Sequence, residues 1–291
     1  MSGAKHSRRD DQPARAEHRD DDVADFVAID SIDYYGSRVD ATRYDVVYAW
    51  VKAWAQRREG RTIALAGVPT INVTRDDPRF KAAYEHADLV LPDGMPLVWA
   101  LHHAGFADAE RLCGPDLMEW FCRDAARDGI PVGLYGSTPQ TLSEIRTNYT
   151  RRFPGLDVRY TYSPPFRPLA DDEEAEVAAD IRRAGVGILF VSLSFPEHAF
   201  WLARQRDRAG CVLVAVGGAF AIAAGELSAP PRWVQRAGLQ WLFRILQEPR
   251  RLLKRYLVHN TRYLWLIASH LFGRSAIPRK RTLRSARRLA D

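Results

Sequence analysis

Short apolar runs alternate with amphipathic segments through most of this chain, and that alternation restricts the fold more than any other feature. The runs predict strands at residues 63–66, 88–91, 131–135, 157–162, 187–193 and 211–216. Two of them, GILFVSL and CVLVAV, are apolar almost throughout, which is typical of strands covered on both faces of a parallel sheet. Helices are predicted at 43–58, 97–103, 115–128, 139–152, 171–184 and 196–208. The spacing therefore predicts an α/β fold, with an open, mostly parallel sheet flanked by helices.

Both ends of the chain differ in composition from this α/β domain, which is predicted to span 29–228. Residues 1–28 mix charges with few apolar side chains and are predicted to be disordered. Beyond the domain, residues 229–273 are predicted to form two or three basic amphipathic helices, and 274–291 a basic flexible tail. Fifteen Lys and Arg face two acidic residues from 232 onward, a net charge of +13, whereas residues 1–231 carry −7.

Several functional classes are disfavoured by what the sequence lacks. Its three cysteines form no CxxC pair, which argues against a zinc knuckle or a secreted disulfide framework and fits a reducing cytoplasm. The sequence has no apolar run of the roughly 18 to 20 residues that a transmembrane helix requires. Its first residues also lack the apolar core of a signal peptide. The sequence offers no cluster with metal-ligand spacing, no G-x-S-x-G elbow and no G-x-G-x-x-G after a strand. We predict a cytoplasmic protein without a metal or cofactor.

Turns that follow the predicted strands carry the candidate functional residues, because loops at the carboxyl ends of the strands form the ligand crevice of an open α/β sheet. Asp93 lies with Gly94 in a Pro/Gly turn after one strand. Its carboxylate can accept a proton from a substrate hydroxyl, or it can cap the next helix. His198 begins a helix after another strand, where it is either a crevice residue or a surface or capping residue.

Two further turns are rich in small residues. The turn Gly136-Ser137-Thr138 either binds phosphate through backbone N–H groups or is an ordinary start of a helix. Gly217 and Gly218 allow a close approach to the backbone, by a ligand or by a neighbouring helix.

The basic end of the chain has three interpretations: a solvated charged face, a nucleic-acid contact, or a patch for an anionic membrane. Its basic residues are interleaved with Trp and Tyr, which favours a membrane interface, where aromatic rings lie at headgroup level. Each basic residue near an anionic leaflet contributes roughly 1 kcal/mol of binding. We therefore predict a peripheral membrane protein that does not bind nucleic acid.

Several long blocks, taken in order, resemble the WecG/TagA/CpsF family of bacterial glycosyltransferases, over roughly residues 62–265. The blocks are ADLVLPDGMPLVWA (87–100), ERLCGPDLM (110–118), PVGLYGSTPQ (131–140), YSPPFRPL (162–169) and APPRWVQRAGLQWLFRILQEPRRLLKRYL (229–257). Blocks of this length in register are far more specific than any single short motif.

The resemblance implies a Rossmann-like, metal-independent transferase that takes a sugar from a UDP-sugar donor. Its acceptor would be a polyprenyl-diphosphate-linked saccharide at the inner face of the cytoplasmic membrane, in the synthesis of a cell-surface or exopolysaccharide. The carboxylate of the PDG motif, here Asp93, would be the general base. The C-terminal helices would face the membrane, and their basic residues would meet the lipid diphosphate; these are Arg244, Arg250, Arg251, Lys254 and Arg255.

The resemblance also implies contacts of the substrates with Thr70, Asn72, Gly94, Gly136, Ser137, Thr138, His198, Gly217 and Gly218. Three places depart from the family pattern. The block Pro-Lys-Gln-Glu is here Pro196 followed by Glu197-His198-Ala199, and a usually acidic position is Ala221. Thr70-Ile71-Asn72 matches a Thr-x-Asn motif but lies nearer to Asp93 than in the family, and a gapless match would put Leu65 and Gly67 there instead.

Two hypotheses follow from these departures. The favoured one is an inverting hexosyltransferase whose sugar is N-acetylmannosamine-type or another hexose, with His198 in place of the amide. The alternative is a catalytically weak or inactive relative that acts as a membrane-associated glycolipid-binding or scaffold protein. The sequence leaves open whether the chain forms a homo-oligomer.

Overall fold

A computed structural model of the chain describes residues 28–272 and 279–282. The strands are, in chain order, β1 (Asp30–Tyr34), β2 (Ser37–Ala41), β3 (Arg61–Ala66), β4 (Leu89–Pro92), β5 (Val132–Gly136), β6 (Val158–Tyr162), β7 (Ile188–Ser192), β8 (Val212–Ala215) and β9 (Arg279–Thr282). The helices are α1 (Tyr44–Gln56), α2 (Val68–Asp76), α3 (Pro78–Glu85), α4 (Met95–His103), α5 (Gly114–Asp128), α6 (Pro139–Arg152), α7 (Asp171–Ala184), α8 (Glu197–Ala209), α9 (Ala219–Ala224), α10 (Arg232–Arg236), α11 (Gln240–Gln247) and α12 (Pro249–Phe272).

The predicted open α/β sheet is confirmed. Six strands pair in the order β4-β3-β8-β7-β5-β6, and every pair in this sheet is parallel. The six predicted strands and six predicted helices are all present, with ends within two residues of the expected ones. Successive residues of β7, such as Leu189 and Phe190, are fully buried although they point to opposite faces, because helices cover both sides of the sheet.

The strand order places one group of loops together. From β3 the chain moves outward to β4 at one edge, and from β5 to β6 at the other, while β7 and β8 fill the middle. Because all six strands run the same way, the loops that leave β4, β5, β7 and β8 meet at their carboxyl ends.

A second, antiparallel sheet was not predicted. Its order is β2-β1-β9, and β1 joins β2 through a tight turn in which Tyr35 and Gly36 both have positive φ. The hairpin escapes sequence analysis because its buried positions include polar and charged side chains, notably Ser31 and Asp40, which interrupt the apolar alternation.

Strand β4 lies at the edge of the large sheet, and side chains of the hairpin close that edge. Arg38 donates to the carbonyl oxygens of Ala87 (2.7 Å) and Asp88 (3.2 Å), and Asp40 accepts a hydrogen bond of 2.7 Å from the Val90 N–H. Arg38 and Asp40 also form an ion pair of 3.1 Å. Burial raises the pKa of Asp40 to about 6, and Arg38 opposes that rise. Arg38 and Asp40 thus hydrogen-bond to backbone groups along this edge, which a further strand would otherwise occupy or which would remain exposed.

The C-terminal region forms three helices, α10 to α12, as the loss of strand signals predicted. Residues 279–282, expected within a flexible tail, instead form β9, which pairs antiparallel with β1. The reason is the free edge of β1, whose N–H and C=O groups accept a partner strand from anywhere in the chain. The remainder of that tail, and the N-terminal segment predicted to be disordered, lie outside the described residues apart from residue 28. In the part of the chain that the structure covers, no helix is both long and apolar enough to span a bilayer.

Candidate active site

Asp93 lies directly after β4, at the carboxyl edge of the sheet. Its backbone N–H donates to the carbonyl oxygen of Ala66 at the end of β3 (2.8 Å), which fixes the turn to the neighbouring strand. Helix α4 begins two residues later, and its N-cap is Gly94, which has no side chain with which to cap the helix. The structure therefore does not use the carboxylate of Asp93 as the N-cap.

The surroundings of Asp93 shift its acidity. Burial raises the pKa of this carboxyl above its ordinary value, the positive charges of Arg111 and Arg244 oppose that rise, and the nearby Asp116 adds to it. A carboxylate with a raised pKa is a stronger base than an exposed one. Two guanidinium groups close to it also provide positive charge for an anionic substrate.

Arg111 was not singled out from the sequence, although it lies in the block 110–118. Its guanidinium donates to Gln235 (2.5 Å) and Gln240 (2.7 Å) and forms an ion pair of 3.0 Å with Asp116. The two glutamines belong to α10 and α11, so this residue joins the α/β domain to the C-terminal helices. Only a contact between distant parts of the chain makes Arg111 a candidate site residue, and the one sequence signal for it was its place in the block ERLCGPDLM.

The start of α5 packs against the end of β8. A Cβ atom on Gly114 would lie 2.4 Å from the backbone oxygen of Val216, so only glycine allows this approach. The hydroxyl of Ser192, at the end of β7, donates to the carbonyl oxygen of Gly217 (2.8 Å). The loops after β7 and β8 are thus joined next to the first turn of α5.

Arg244 of α11 lies over the Gly217-Gly218 turn. A Cβ atom on Gly218 would be 2.7 Å from one terminal nitrogen of its guanidinium and 3.1 Å from the other. Gly217 has a φ of +52°, a backbone conformation that favours glycine. Of the two interpretations of these glycines, a close approach from a neighbouring helix is observed only as the side chain of Arg244 at Gly218. A ligand contact stays a prediction.

The turn after β5 is also built on a close backbone approach. Gly136 has a φ of +111°, and a Cβ atom there would lie 2.2 Å from the backbone oxygen of Ser192. Ser137 has a φ of +61°, and its carbonyl oxygen accepts a hydrogen bond of 2.6 Å from the hydroxyl of Ser163. Thr138 caps α6 by accepting from the N–H of Thr141 (3.1 Å). The turn is an ordinary start of a helix in this respect, and phosphate binding stays a prediction.

Thr70 and Asn72 lie on α2, which the sequence analysis did not predict. The hydroxyl of Thr70 accepts from the N–H of Gly67 (3.2 Å) after the end of β3. The amide of Asn72, which is 1% exposed, donates to the backbone oxygen of His259 on α12 (2.9 Å). Asn72 is thus engaged with the C-terminal helix, and its role in substrate binding stays a prediction.

The remaining predicted residues lie on two helices, α8 and α12. His198 is the second residue of α8, partly buried, with its ring 5.7 Å from that of Phe195. Arg250 is exposed at the start of α12. The backbone of Arg251, Lys254 and Arg255 belongs to α12, but their side chains lie outside what the structure describes.

The arrangement combines the carboxylate of Asp93, whose pKa is raised, with the guanidinium groups of Arg111 and Arg244, and Arg244 lies over the Gly217-Gly218 turn. A carboxylate can accept a proton from a hydroxyl nucleophile, and guanidinium groups can stabilise a departing diphosphate. Within residues 28–272 and 279–282, no three His, Cys, Asp or Glu side chains cluster as a metal site would need.

Comparison with known proteins finds one relative and one protein family. The chain is similar to an N-acetylglucosaminyldiphosphoundecaprenol N-acetyl-β-D-mannosaminyltransferase of Bacillus spizizenii (strain ATCC 23059 / NRRL B-14472 / W23), with 28% identity over 176 residues. That match covers 60% of this chain and 66% of the relative, slightly under two thirds of its length. The predicted enzyme class, a glycosyltransferase, is the class that the relative's name gives. Residues 32–277 match the family described as the glycosyl transferase WecG/TagA/CpsF family, which confirms the resemblance found in the sequence. Because this match spans most of the chain, the protein belongs to the WecG/TagA/CpsF family of glycosyltransferases.

Proposed function

We propose that this protein transfers a sugar from a UDP-sugar to a polyprenyl-diphosphate-linked saccharide in the synthesis of a cell-surface or exopolysaccharide. The observation that carries the proposal is Asp93, a carboxyl of raised pKa next to Arg111 and Arg244 at the carboxyl edge of the sheet. The name of the Bacillus relative, which acts on a diphosphoundecaprenol-linked sugar, supports this class of acceptor.

In the proposed reaction, Asp93 is the general base. The acceptor hydroxyl gives its proton to the carboxylate of Asp93 while its oxygen attacks the anomeric carbon of the donor. The bond from that carbon to the diphosphate breaks, so the configuration inverts and a nucleoside diphosphate leaves. No metal takes part in this proposal, since guanidinium groups and backbone N–H groups stabilise the charge that develops on the leaving group.

Arg244 is the proposed contact for diphosphate. It reaches the Gly217-Gly218 turn from α11, and it lies close enough to Asp93 to lower the pKa of that carboxyl. Arg111 has a second task, since its bonds to Gln235 and Gln240 hold the C-terminal helices against the α/β domain.

The C-terminal helices are proposed to bind an anionic membrane surface, at the inner face of the cytoplasmic membrane. Helix α12 turns one face inward, with Leu252, Tyr263 and Leu266 buried. Its opposite face carries exposed apolar residues at helical spacing, namely Leu253, Leu257, Leu264 and Trp265. Trp233 of α10 and Leu246 of α11 are exposed as well. An exposed apolar surface in a strongly basic region is the pattern of an interfacial membrane helix.

The sugar is proposed to be N-acetylmannosamine-type or another hexose. His198 and Ala221 stand where the family pattern differs, so the donor site is the place where a change of sugar would arise. The same differences are the basis of the second candidate, a catalytically weak or inactive relative that still binds the lipid-linked saccharide.

The test is the release of nucleoside diphosphate from a panel of UDP-sugars, with a short-chain lipid-diphosphate saccharide as acceptor. Replacing Asp93 with Asn keeps the size of the side chain and removes the base, so turnover is expected to fall by about 10²- to 10⁴-fold. Asp108→Asn, at an exposed position, is the matched control and is expected to behave like the wild type. Acceptor binding without release from any donor would favour the non-catalytic candidate, and an active Asp93→Asn variant would exclude Asp93 as the base.

A further inference from the structure

Helix α12 is held against the rest of the protein by a row of polar contacts, here named the α12 seam. On the α12 side the seam consists of His259, Arg262 and Tyr263. On the other side are residues of β1 and α2, namely Tyr34, Asn72 and Asp76. These contacts join segments about 190 to 230 positions apart in the sequence.

One contact of the seam joins two tyrosines, Tyr34 and Tyr263. Their hydroxyl oxygens lie 2.7 Å apart, and Tyr263 is only 5% exposed. Burial raises the pKa of both Tyr34 and Tyr263, so both hydroxyls stay protonated and one donates to the other. Removing either hydroxyl leaves the other without this partner in a largely dry place, which is the costly case for a hydrogen bond.

Two contacts with α2 complete the seam. The amide of Asn72 donates to the backbone oxygen of His259 (2.9 Å), and Arg262 forms an ion pair of 2.7 Å with Asp76. Both charged side chains are 47% exposed, so the ion pair contributes little to overall stability, but it links α12 to α2.

The seam determines which way α12 faces. His259, Tyr263 and the buried Leu266 recur at a spacing of four and three residues, so they form one stripe along the helix. The strand that follows α12, β9, pairs with β1. The N-terminal hairpin therefore contacts both α12 itself, through Tyr34, and the strand after it.

Helix α11 ends at Gln247 and α12 begins at Pro249, so a single residue separates them. The orientation of α12 therefore constrains α11, which carries Arg244 to the Gly217-Gly218 turn. We propose that the α12 seam positions Arg244 in the active site, with Tyr34 and Asp76 as positioning residues that act through α12. The predicted effect on turnover rests on the proposed function, whereas the predicted coupling of α12 to α11 does not.

A charge swap tests the proposal. Asp76→Arg replaces an attraction by a repulsion, and is expected to speed amide hydrogen exchange in both α11 and α12 about fivefold and to lower kcat by a similar factor. The double variant Asp76→Arg/Arg262→Asp restores the pair and is expected to restore both measurements. Glu119→Arg is the matched control, because it breaks a comparably exposed ion pair with Arg152 between α5 and α6.

A second variant is much less demanding on folding. Tyr34→Phe keeps the ring and is expected to have the same effects as Asp76→Arg on exchange and kcat, again about fivefold, without a change in the KM for the donor. Its control is Tyr48→Phe, which loses a hydroxyl bond of 2.9 Å to Asp128, a contact between α1 and α5 rather than one with α12.

The outcomes separate the two proposals. Faster exchange confined to α12, with α11 unchanged, would overturn the seam proposal whether or not the protein is active. So would a swapped pair that behaves like Asp76→Arg alone, or a Tyr34→Phe variant with wild-type exchange and kcat. A wild type that releases no nucleoside diphosphate, but whose α11 and α12 respond together and recover in the double variant, would overturn the proposed function and support the seam.

Discussion

Gly218→Ala is the most direct test of whether Arg244 works from its observed position. The added Cβ atom would lie 2.7 Å from a terminal nitrogen of Arg244, and ordinary contact begins near 3.4 Å. The guanidinium must therefore retreat by about 0.7 Å to reach ordinary contact. That nitrogen is the far end of a flexible side chain, and Gly218 has a φ of −71°, which any residue adopts, so the cost in stability is small.

The cost in activity is expected to be larger. Removing a donor that stabilises transition-state charge costs about 10²- to 10³-fold in kcat, so a partial displacement is expected to cost about tenfold, or about 1.4 kcal/mol. The displacement also weakens the influence of Arg244 on Asp93. Because Arg244 lowers the pKa of this carboxyl, its retreat lets that pKa rise, and the acidic limb of the pH–rate profile moves to higher pH.

Gly225→Ala is the control, since it lies at the other end of the same short helix, α9. Gly225 has a φ of +90° and open space around its Cα, so alanine there is expected to cost about 1 to 2 kcal/mol of stability through backbone strain, without touching Arg244. The measurements are nucleoside diphosphate release across pH and unfolding in urea. A Gly218→Ala protein with wild-type kcat and an unmoved acidic limb would refute the role given to Arg244.

Two further predictions concern the buried ion pair and the exposed face of α12. The pKa of Asp40 in the folded protein is raised to about 6, so its protonated form favours folding; that contribution is complete below the unfolded pKa and is lost as pH rises through 6. In urea unfolding, the free energy of unfolding of Asp40→Asn minus that of the wild type is expected to increase by about 2 to 3 kcal/mol from pH 4 to pH 7. A difference that stays constant over this pH range would contradict the prediction. The double variant Leu264→Ser/Trp265→Ser is expected to bind anionic vesicles about tenfold or more weakly in co-sedimentation, because two exposed apolar side chains are lost. Unchanged co-sedimentation at physiological salt would count against the membrane surface.

The edge of β4 illustrates why the site depends on more than the sheet. Strand β4 carries Asp93 at its end, yet its free edge is closed by Arg38 and Asp40 rather than by another strand. The same hairpin contacts α12 through Tyr34. It therefore touches both the strand that presents the base and the helix that follows Arg244.

The sequence by itself determined the central sheet and six of the helices that flank it. Apolar runs such as 187–193 and the helical periodicity of segments such as 139–152 are local signals, because burial on two faces or on one stripe leaves its mark in neighbouring residues. The position of Asp93 at the end of a strand followed from the same signals. The long blocks of family resemblance identified the glycosyltransferase family, which the comparison confirmed.

Tertiary structure alone decided how the two ends of the chain meet the sheet. The hairpin was missed because Ser31, Ser37 and Asp40 occupy three of its buried positions. Strand β9 was missed because the partner edge that orders it lies about 250 residues away. Arg111 became a candidate site residue through Gln235 and Gln240, and Asn72 donates to the backbone oxygen of His259 on α12. Apart from the local pairing of β1 with β2, each depends on a hydrogen bond or ion pair between residues far apart in the chain. Such contacts leave no periodic pattern in the sequence around either partner.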